Sequence, residues 1–319
     1  MAKGKANGKG AESLAGGAGF GDKLRAETAA VRLRSERFGV KRSLTFEQKE
    51  KAAEPFHAKP QSLSASKRIL DTRSPAYSGV TTILKRAAAY WYGVTVPYPE
   101  PGIRLIRKDR IETFVAQMEV FRGELLQALD ELDKQFSALK LAAKEKLGTL
   151  FNAADYPESL AGSFDLSWEF PPLDAPAYLK QLNPALYEQE QKRISARFEE
   201  AVLAAEEAFA SEFAGLVAHL TERLSGETDG KPKSFHKSTL DNLQEFFGKF
   251  AELNVRSNPE LDALVASAQE ALKGVDAKTI RDRDSLRKKI AESLGAVQQK
   301  IEELAIAKPR RAIELDDGG

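Results

Sequence analysis

An apolar stripe with a period of 3.5 residues begins near Asp109 and is the strongest pattern in the chain. Its first position recurs every seven residues, at Ile111, Met118, Leu125, Leu132 and Leu139. Its second position holds Val115, Leu129 and Phe136, with Arg122 as an interruption. A repeat of about four heptads without proline predicts a long helix that packs as a coiled coil.

A second stripe of similar length begins at Asn183–Pro184, an N-cap residue followed by proline at the first helical position. It ends at Gly226, which is a typical C-cap residue. Its members are Ile194, Phe198, Val202, Phe209, Phe213, Leu216, Leu220 and Leu224. Two long helices joined by a connector favour an antiparallel hairpin within the chain. Coiled-coil pairing between two chains is the alternative.

The connector between the two stripes has the alternation of a half-buried strand. Large apolar side chains alternate there with polar ones before Pro171–Pro172, and the apolar members are Phe164, Leu166, Trp168 and Phe170. A lone strand is unstable, so this one needs a mate. Residues 94–98 and 102–106 are candidates within the chain, and a strand of another molecule is the alternative. The four apolar residues are therefore candidate partner-binding residues.

Shorter helical patterns flank this region. A helix is predicted from Ser74–Pro75 to Trp91, and three amphipathic helices are predicted after residue 236, the second capped at Asn258–Pro259 and the third running from about Lys278 to Ile306. The glycine-rich first 21 residues predict a disordered arm, followed by a candidate helix around Asp22–Arg37.

The predicted fold is therefore mainly α. It has a disordered or weakly ordered basic arm and linker (residues 1–60), a region with a helix, short strands and the long coiled-coil hairpin (61–226), and a C-terminal helical bundle (227–319). The last residues, 309–319, are predicted to be frayed.

Composition and charge narrow the function classes. The chain has 319 residues and no cysteine, which excludes disulfides and thiolate chemistry. It has no apolar run of the length a membrane helix needs, and no signal-peptide pattern at its N-terminus, so a cytoplasmic location is expected. Residues 1–110 contain 22 Lys and Arg against 10 Asp and Glu, a net charge of +12, whereas residues 111–319 have a net charge of −11. This polarity indicates two surfaces with different partners.

The basic half predicts a nucleic-acid-binding surface as one hypothesis. Cationic side chains recur through it, and the aromatic residues Tyr90, Trp91 and Tyr92 lie among them, a combination that suits phosphate contact and base stacking. The candidate residues are Lys41, Arg42, Lys67, Arg68, Lys85, Arg86, Arg104, Arg107, Lys108 and Arg110. The periodicity also places Trp91 on the apolar face of its helix, where it would belong to the core.

The sequence offers little support for an enzyme, and no cofactor or metal is expected. Residues 4–10 and 226–232 resemble a phosphate-binding loop, but each is one residue short between its glycines and lacks Ser or Thr after the lysine. His57, His219 and His236 share no helix-turn spacing, and the carboxylates around Glu199 and Glu206 have no histidine within one turn.

A resemblance to a known family covers residues 64–172. The stretch that carries it runs from SASKRILDTRSPAYSG through VTVPYPEPGIRLIRKDR to the long helix and then SFDLSWEFPPL. In the order of its elements it resembles a domain-of-unknown-function family of phage, plasmid and conjugative-element proteins. Genes of that family often neighbour MoxR-type AAA+ ATPases and von Willebrand factor A proteins. The resemblance implies a mobile-element setting and an ATPase partner, and no functional residue is carried over from it.

The sequence thus favours a non-enzymatic helical scaffold or adaptor that docks onto protein partners. A nucleic-acid-binding protein that uses the basic half and a self-assembling structural protein that uses the 163–170 strand are the alternatives.

Overall fold

The computed structural model describes residues 19–225, 227–228, 231–232 and 237–307. Its helices are α1 (Phe20–Glu27), α2 (Phe46–Ala53), α3 (Pro75–Gly93), α4 (Ile111–Leu147), α5 (Ala177–Leu182), α6 (Pro184–Ser225), α7 (Lys237–Leu253), α8 (Pro259–Ala271), α9 (Ala277–Asp282) and α10 (Asp284–Ala307). Its strands are β1 (Thr28–Glu36), β2 (Lys41–Ser43), β3 (Ser66–Arg68), β4 (Thr95–Pro97), β5 (Ile103–Arg107), β6 (Asp165–Glu169), β7 (Glu227–Thr228) and β8 (Lys231–Pro232).

The mainly helical class with a small β element is confirmed. One four-stranded sheet has the order β4-β5-β1-β6, and β2 pairs with β3 and β7 with β8 in two-stranded antiparallel ribbons. The predicted arm residues 1–18 and the predicted frayed end 309–319 lie outside the described residues.

The chain divides into two compact units. The helical unit takes in the described parts of Met1–Thr28, Pro97–Pro99 and Asp174–Gly319, and the sheet unit consists of Ala29–Val96 and Glu100–Leu173. This division differs from the predicted domain boundaries, because α4 belongs to the sheet unit and α6 to the helical unit.

In the sheet unit, α4 packs on α3 and contributes to a core that also includes side chains from the sheet. The first predicted seam position is buried at Met118, Leu125 and Leu132, and the second at Phe136. Near the start of the helix, Phe114 and Phe121 are buried in place of the predicted Val115. The antiparallel hairpin of two long helices is not confirmed, since the stripe of α4 is covered by its own unit.

The sheet corrects two expectations. Residues 28–36 are a strand, although the sequence predicted a helix through them and placed them in a weakly ordered arm. This strand, β1, is the mate of β6, with Leu33 opposite Trp168 and Arg32 opposite Glu169 in antiparallel register. The 163–170 strand therefore pairs within the chain, and its direct neighbour is β1 rather than residues 94–98 or 102–106.

In the helical unit, α10, α1, α7 and α5 pack on α6, and α8 packs on α10. A phenylalanine cluster joins α6 to α7, with the rings of Phe213 and Phe246 stacked at a centroid distance of 5.3 Å. The end of α6 is closed by Arg287 of α10, whose guanidinium donates hydrogen bonds of 2.7 Å to the carbonyl oxygens of Arg223 and Leu224. The predicted last helix is divided at Arg283, whose backbone is extended.

Candidate interaction surfaces

The ten predicted nucleic-acid-binding cations do not form one surface, and several have roles inside the sheet unit. Lys67 is buried, and its Nζ lies 2.7 Å from Asp155 Oδ2 and donates a 2.7 Å hydrogen bond to the carbonyl oxygen of Leu150. This ammonium joins β3 to the turns that follow α4. Lys67 is therefore not available to a ligand, which corrects its assignment to the nucleic-acid-binding set.

Arg104 is also an internal residue. Its Nε donates a 2.6 Å hydrogen bond to Thr95 Oγ1, and Nη2 donates one of 2.9 Å to the Thr95 carbonyl oxygen. The guanidinium lies over the rings of Tyr92 and Trp91, at 4.7 and 5.8 Å from their centroids. Burial lowers the pKa of Arg104 from its ordinary value. The side chain thus holds β5 to β4 and to the end of α3, and is not free for phosphate contact.

Two further predicted cations have carboxylate partners on the surface of the sheet unit. Arg86 pairs with Glu124 at 2.6 Å, and Arg107 pairs with Asp109 at 2.8 Å. The hydrogen bonds from Arg107 hold the pKa of Asp109 below its usual value. Lys108 and Arg110 are exposed, and each has interactions within the structure. Lys85 is exposed on α3 and makes no ion pair with the described residues.

The β2–β3 ribbon brings the other predicted cations together. Lys41 lies directly opposite Arg68, and Arg42 lies opposite Lys67. Directly opposed residues of an antiparallel pair point to the same face. The face with Lys67 is turned to the interior, and there Arg42 donates hydrogen bonds to the carbonyl oxygens of Gly39 and Lys41. The other face exposes Lys41 and Arg68 side by side.

The predicted partner-binding strand is largely covered by its own unit. Phe164 and Leu166 are buried in the core, which corrects their assignment as partner-binding residues. Trp168 is half-buried, with its ring edge against Phe114 and the guanidinium of Arg122 5.3 Å from its centroid. Phe170 remains partly exposed. These residues are covered because β6 pairs with β1 of the same unit, and not with a strand of another molecule.

The aromatic triplet of α3 is divided between core and surface. Trp91 is buried, as the apolar periodicity indicated. Tyr90 is half-buried and stacks on Phe114 at a centroid distance of 6.1 Å, and burial raises its pKa. Only Tyr92 of the three is exposed, so the triplet offers no row of stacking rings.

A surface that the sequence analysis missed lies in the helical unit. We call residues 176–193 the helical tip; they form α5 and the first turns of α6. No residue of the tip is buried, whereas Ala175 before it and Ile194 after it are. Tyr178, Leu182 and Leu186 expose 62%, 77% and 38% of their surface. Their four-residue spacing is visible in the sequence, but it is equally typical of a helix whose apolar side is covered.

The local sequence explains the shape of the tip. Asn183 ends α5 with an extended backbone and starts α6, where its Oδ1 accepts a 3.1 Å hydrogen bond from the Leu186 N–H. Pro184 then takes the first position of α6. On the surface of α6, Arg193 pairs with Glu190 at 2.6 Å. The tip thus consists of a short helix and the capped start of a long one, with apolar side chains that the helical unit itself does not cover.

A second missed feature is the excursion between β2 and β3. We call residues 44–65 the ribbon tip; they contain α2, which Thr45 and Gln48 cap reciprocally, and two short 3-10 turns. Ala53 is its only buried residue. Phe56 and Phe46 expose 78% and 57% of their surface.

No catalytic constellation is visible in the described part of the chain. His57 and His219 are exposed, and His236 lies outside the described residues. Among described residues, no group of three or more His, Asp or Glu is placed to hold a metal ion. None of the helices in the described ranges is both long and apolar enough to span a membrane.

Comparison of the chain with protein-family models, with curated proteins and with solved structures finds no match. The family resemblance of residues 64–172 therefore stays a prediction.

Proposed function

We propose that this protein is a non-enzymatic scaffold or adaptor of the cytoplasm that docks onto a protein partner through the helical tip. One observation carries the proposal. The tip exposes Tyr178, Leu182 and Leu186 in a segment without a single buried residue. Exposed apolar side chains that cluster, rather than occur singly, are typical of protein-binding sites.

The chemistry of the tip favours a protein partner over a charged ligand. The segment has the three cations Lys180, Lys192 and Arg193 and the two carboxylates Glu188 and Glu190, so its net charge is only +1. Tyr and Leu side chains bury large apolar areas when they enter a partner's groove. Helical side chains that enter a groove of the partner are a common form of recognition, and here α5 contributes Tyr178 and Leu182 and the first turn of α6 contributes Leu186.

The helical tip is carried by the long helix α6. In the sequence-based hypothesis a hairpin of two long helices was the rigid element of the scaffold. In the present proposal α6 alone fulfils that role, because α10, α1 and α7 pack on it while none of its residues from 184 to 193 is buried. Burial of apolar surface on this element would therefore require no rearrangement of the helical unit.

The family resemblance suggests the partner to test first. It implies a MoxR-type AAA+ ATPase with a von Willebrand factor A protein, in a phage or other mobile-element setting. A second copy of the same chain is the competing occupant, as in the self-assembly hypothesis. The two differ in a simple measurement, since self-association depends on the concentration of this protein alone.

The experiment compares three forms of the full chain in a nuclease-treated pull-down with purified ATPase and von Willebrand A proteins from the same host. The forms are the wild type, the tip variant Leu182→Asp/Leu186→Asp, and the control Leu203→Asp. Leu203 is a matched control because it lies on α6, is 54% exposed and is outside the tip. We expect retention by the wild type and the control, and at least tenfold weaker binding by the tip variant.

Sedimentation velocity of the same three forms completes the test. Equal retention of the partners by the tip variant and the wild type would contradict docking through the tip. If the wild type and the control form an oligomer that the tip variant does not, and none of the three forms retains a partner, the result would favour a self-assembling protein over an adaptor. Circular dichroism checks that all three forms are folded, as expected for changes at exposed positions.

A further inference from the structure

We propose that the exposed face of the β2–β3 ribbon, together with the ribbon tip, binds the phosphate backbone of single-stranded nucleic acid. This surface belongs to the sheet unit, and the inference does not depend on docking through the helical tip. It replaces the broad set of ten cations by a small site whose members the strand register brings together.

The register of the ribbon determines which side chains share the exposed face. Lys41 is opposite Arg68, and two residues further along Ser43 is opposite Ser66. All four are exposed. Residues directly opposite in an antiparallel pair have Cβ atoms about 5 Å apart. Two cations and two hydroxyl groups therefore stand in adjacent pairs on one surface.

The cation pair has no counter-charge of its own. Within the described ranges, the side chains of Lys41 and Arg68 make no ion pair or hydrogen bond. Like charges directly opposite each other weaken a strand pair. The contrast is the opposite face, where the charge of Lys67 is compensated by Asp155. The opposed cations Lys41 and Arg68 repel each other and have no carboxylate partner among the described residues. An anion of a bound ligand would supply the missing counter-charge.

The chemistry of the four side chains points to phosphate. Arginine, lysine and serine are residues that commonly contact the phosphate oxygens of nucleic acids. A carboxylate ligand would engage the cations but would leave the two hydroxyl groups without a function. A phosphodiester chain offers successive anionic groups, so that it can follow the ribbon from the Lys41–Arg68 pair to the Ser43–Ser66 pair.

The ribbon tip favours a single strand over a duplex. Phe46 and Phe56 are exposed there, and base stacking on aromatic rings is open only to unpaired bases. The tip has three lysines and three glutamates and thus no net charge, so the cationic contacts come from the ribbon and the tip contributes the aromatic rings.

A membrane surface is the less favoured occupant, because it would need an amphipathic helix with a continuous apolar face. α2 has eight residues, and its apolar members are Phe46 and two alanines.

The test measures binding of a fluorescein-labelled 20-residue oligothymidylate to the full chain by fluorescence anisotropy over a range of salt concentrations. The ribbon variant Lys41→Gln/Arg68→Gln is compared with a control of equal charge, Lys288→Gln/Lys289→Gln, whose lysines are exposed on α10. We expect the ribbon variant to bind at least tenfold more weakly. The slope of log K against log salt should fall by about 1.4, since each lost contact to a single strand contributes about 0.7.

Two further measurements distinguish binding at this site from non-specific electrostatic attraction of the oligonucleotide to the protein. Phe56→Ala should weaken binding roughly tenfold, the effect of losing one stacked base, without changing the salt slope. The thermal midpoint of the ribbon variant should equal or exceed that of the wild type, because a repulsive pair has been removed.

Equal weakening by the ribbon variant and its control would overturn the proposal, as would the absence of oligonucleotide binding by the wild type. Binding to phosphatidylserine vesicles in the absence of oligonucleotide binding would show instead that the ribbon is a membrane-contacting surface. A duplex of the same length that binds as tightly as the single strand, with no effect of Phe56→Ala, would overturn the assignment to single strands.

Discussion

The two units differ in how their interiors are held together. The sheet unit places polar contacts between distant segments inside its core, such as the Lys67–Asp155 pair and the 2.7 Å hydrogen bond from the Tyr156 hydroxyl to the Ile69 carbonyl oxygen. The helical unit depends mainly on apolar contacts between neighbouring helices, with Arg287 as its principal buried cation.

This contrast has a physical consequence for specificity. Buried polar contacts have strict geometry, and a partner that is missing leaves a costly unsatisfied group. Apolar helix packing tolerates conservative changes more easily. The sheet unit should therefore be sensitive to the loss of single partners, and the helical unit to the loss of volume. Both tryptophans, Trp91 and Trp168, belong to the sheet unit, so tryptophan fluorescence follows that unit, while hydrogen exchange can follow either.

The largest effect is expected from removing volume in the helical unit. Phe213→Ala deletes a fully buried ring that stacks on Phe246 and contacts Phe247. The free energy of unfolding should fall by about 4 kcal/mol, as for other buried aromatic residues. Hydrogen exchange of peptides from α6 and α7 measures the loss. Phe213→Leu, which keeps most of the apolar contact, should lose clearly less, and an equal loss would argue against a volume effect.

A slightly smaller effect is expected from breaking the buried ion pair of the sheet unit. Lys67→Met leaves the Asp155 carboxylate without its counter-charge and should cost about 3 kcal/mol. Urea unfolding followed by tryptophan fluorescence measures it. The double variant Lys67→Met/Asp155→Leu removes both charges and should recover most of the stability. A double variant as unstable as Lys67→Met would show that the loss comes from packing.

A helix cap in the helical unit should have a local effect. The Asn258 side chain accepts a 3.1 Å hydrogen bond from the Leu261 N–H at the start of α8. Asn258→Ala should cost about 1 kcal/mol, with faster hydrogen exchange in the first turn of α8. Asn258→Ser keeps an oxygen acceptor and should exchange nearly as slowly as the wild type. Faster exchange throughout the unit would mean that the cap also supports the packing of α8.

The smallest effect concerns the response of the sheet unit to acid. The backbone N–H of Arg73 and the Lys146 ammonium donate to the Asp71 carboxylate, and this holds its pKa below the ordinary value of 3.8. A depressed pKa means that the carboxylate stabilises the fold above about pH 4 and that this contribution is lost as the pH falls through the lowered pKa. Asp71→Asn should therefore flatten the acid limb of the stability profile measured by tryptophan fluorescence. An unchanged limb would assign the acid response to other carboxylates.

The sequence predicted the helical unit better than the sheet unit, for a reason that lies in the range of the interactions. The starts of α6 and α8 depend on local capping at Asn183–Pro184 and Asn258–Pro259, which are readable within a few residues. Strand β1 shows alternation at Val31–Arg32–Leu33–Arg34, but its arginines favoured a basic arm. These arginines fit a strand because Glu169, on the neighbouring strand β6, pairs with both of them. Glu169 is more than 130 positions away in the sequence, so a local pattern does not show this pairing.

The candidate sites were predictable only in part. The ribbon cations were among the ten predicted cations, yet which of them face solvent depends on the register between β2 and β3 and on the distant Asp155. The helical tip was missed because exposure cannot be read from periodicity. Tyr178 and Leu182 have the same spacing as the core residues of the other helices, and only their exposure in the folded chain distinguishes them.

The discontinuity of the helical unit has a consequence for synthesis on the ribosome. Helix α1 precedes the whole sheet unit, but the residue that receives its N-terminal Gly21 N–H, Glu199, lies 178 positions later. At roughly 5–20 residues per second, α1 must wait about 10–35 s after its own translation before this contact can form. The sheet unit, which lies between them in the chain, emerges complete during that interval. The nascent chain thus exposes α1 to chaperones for longer than any other helix of its unit.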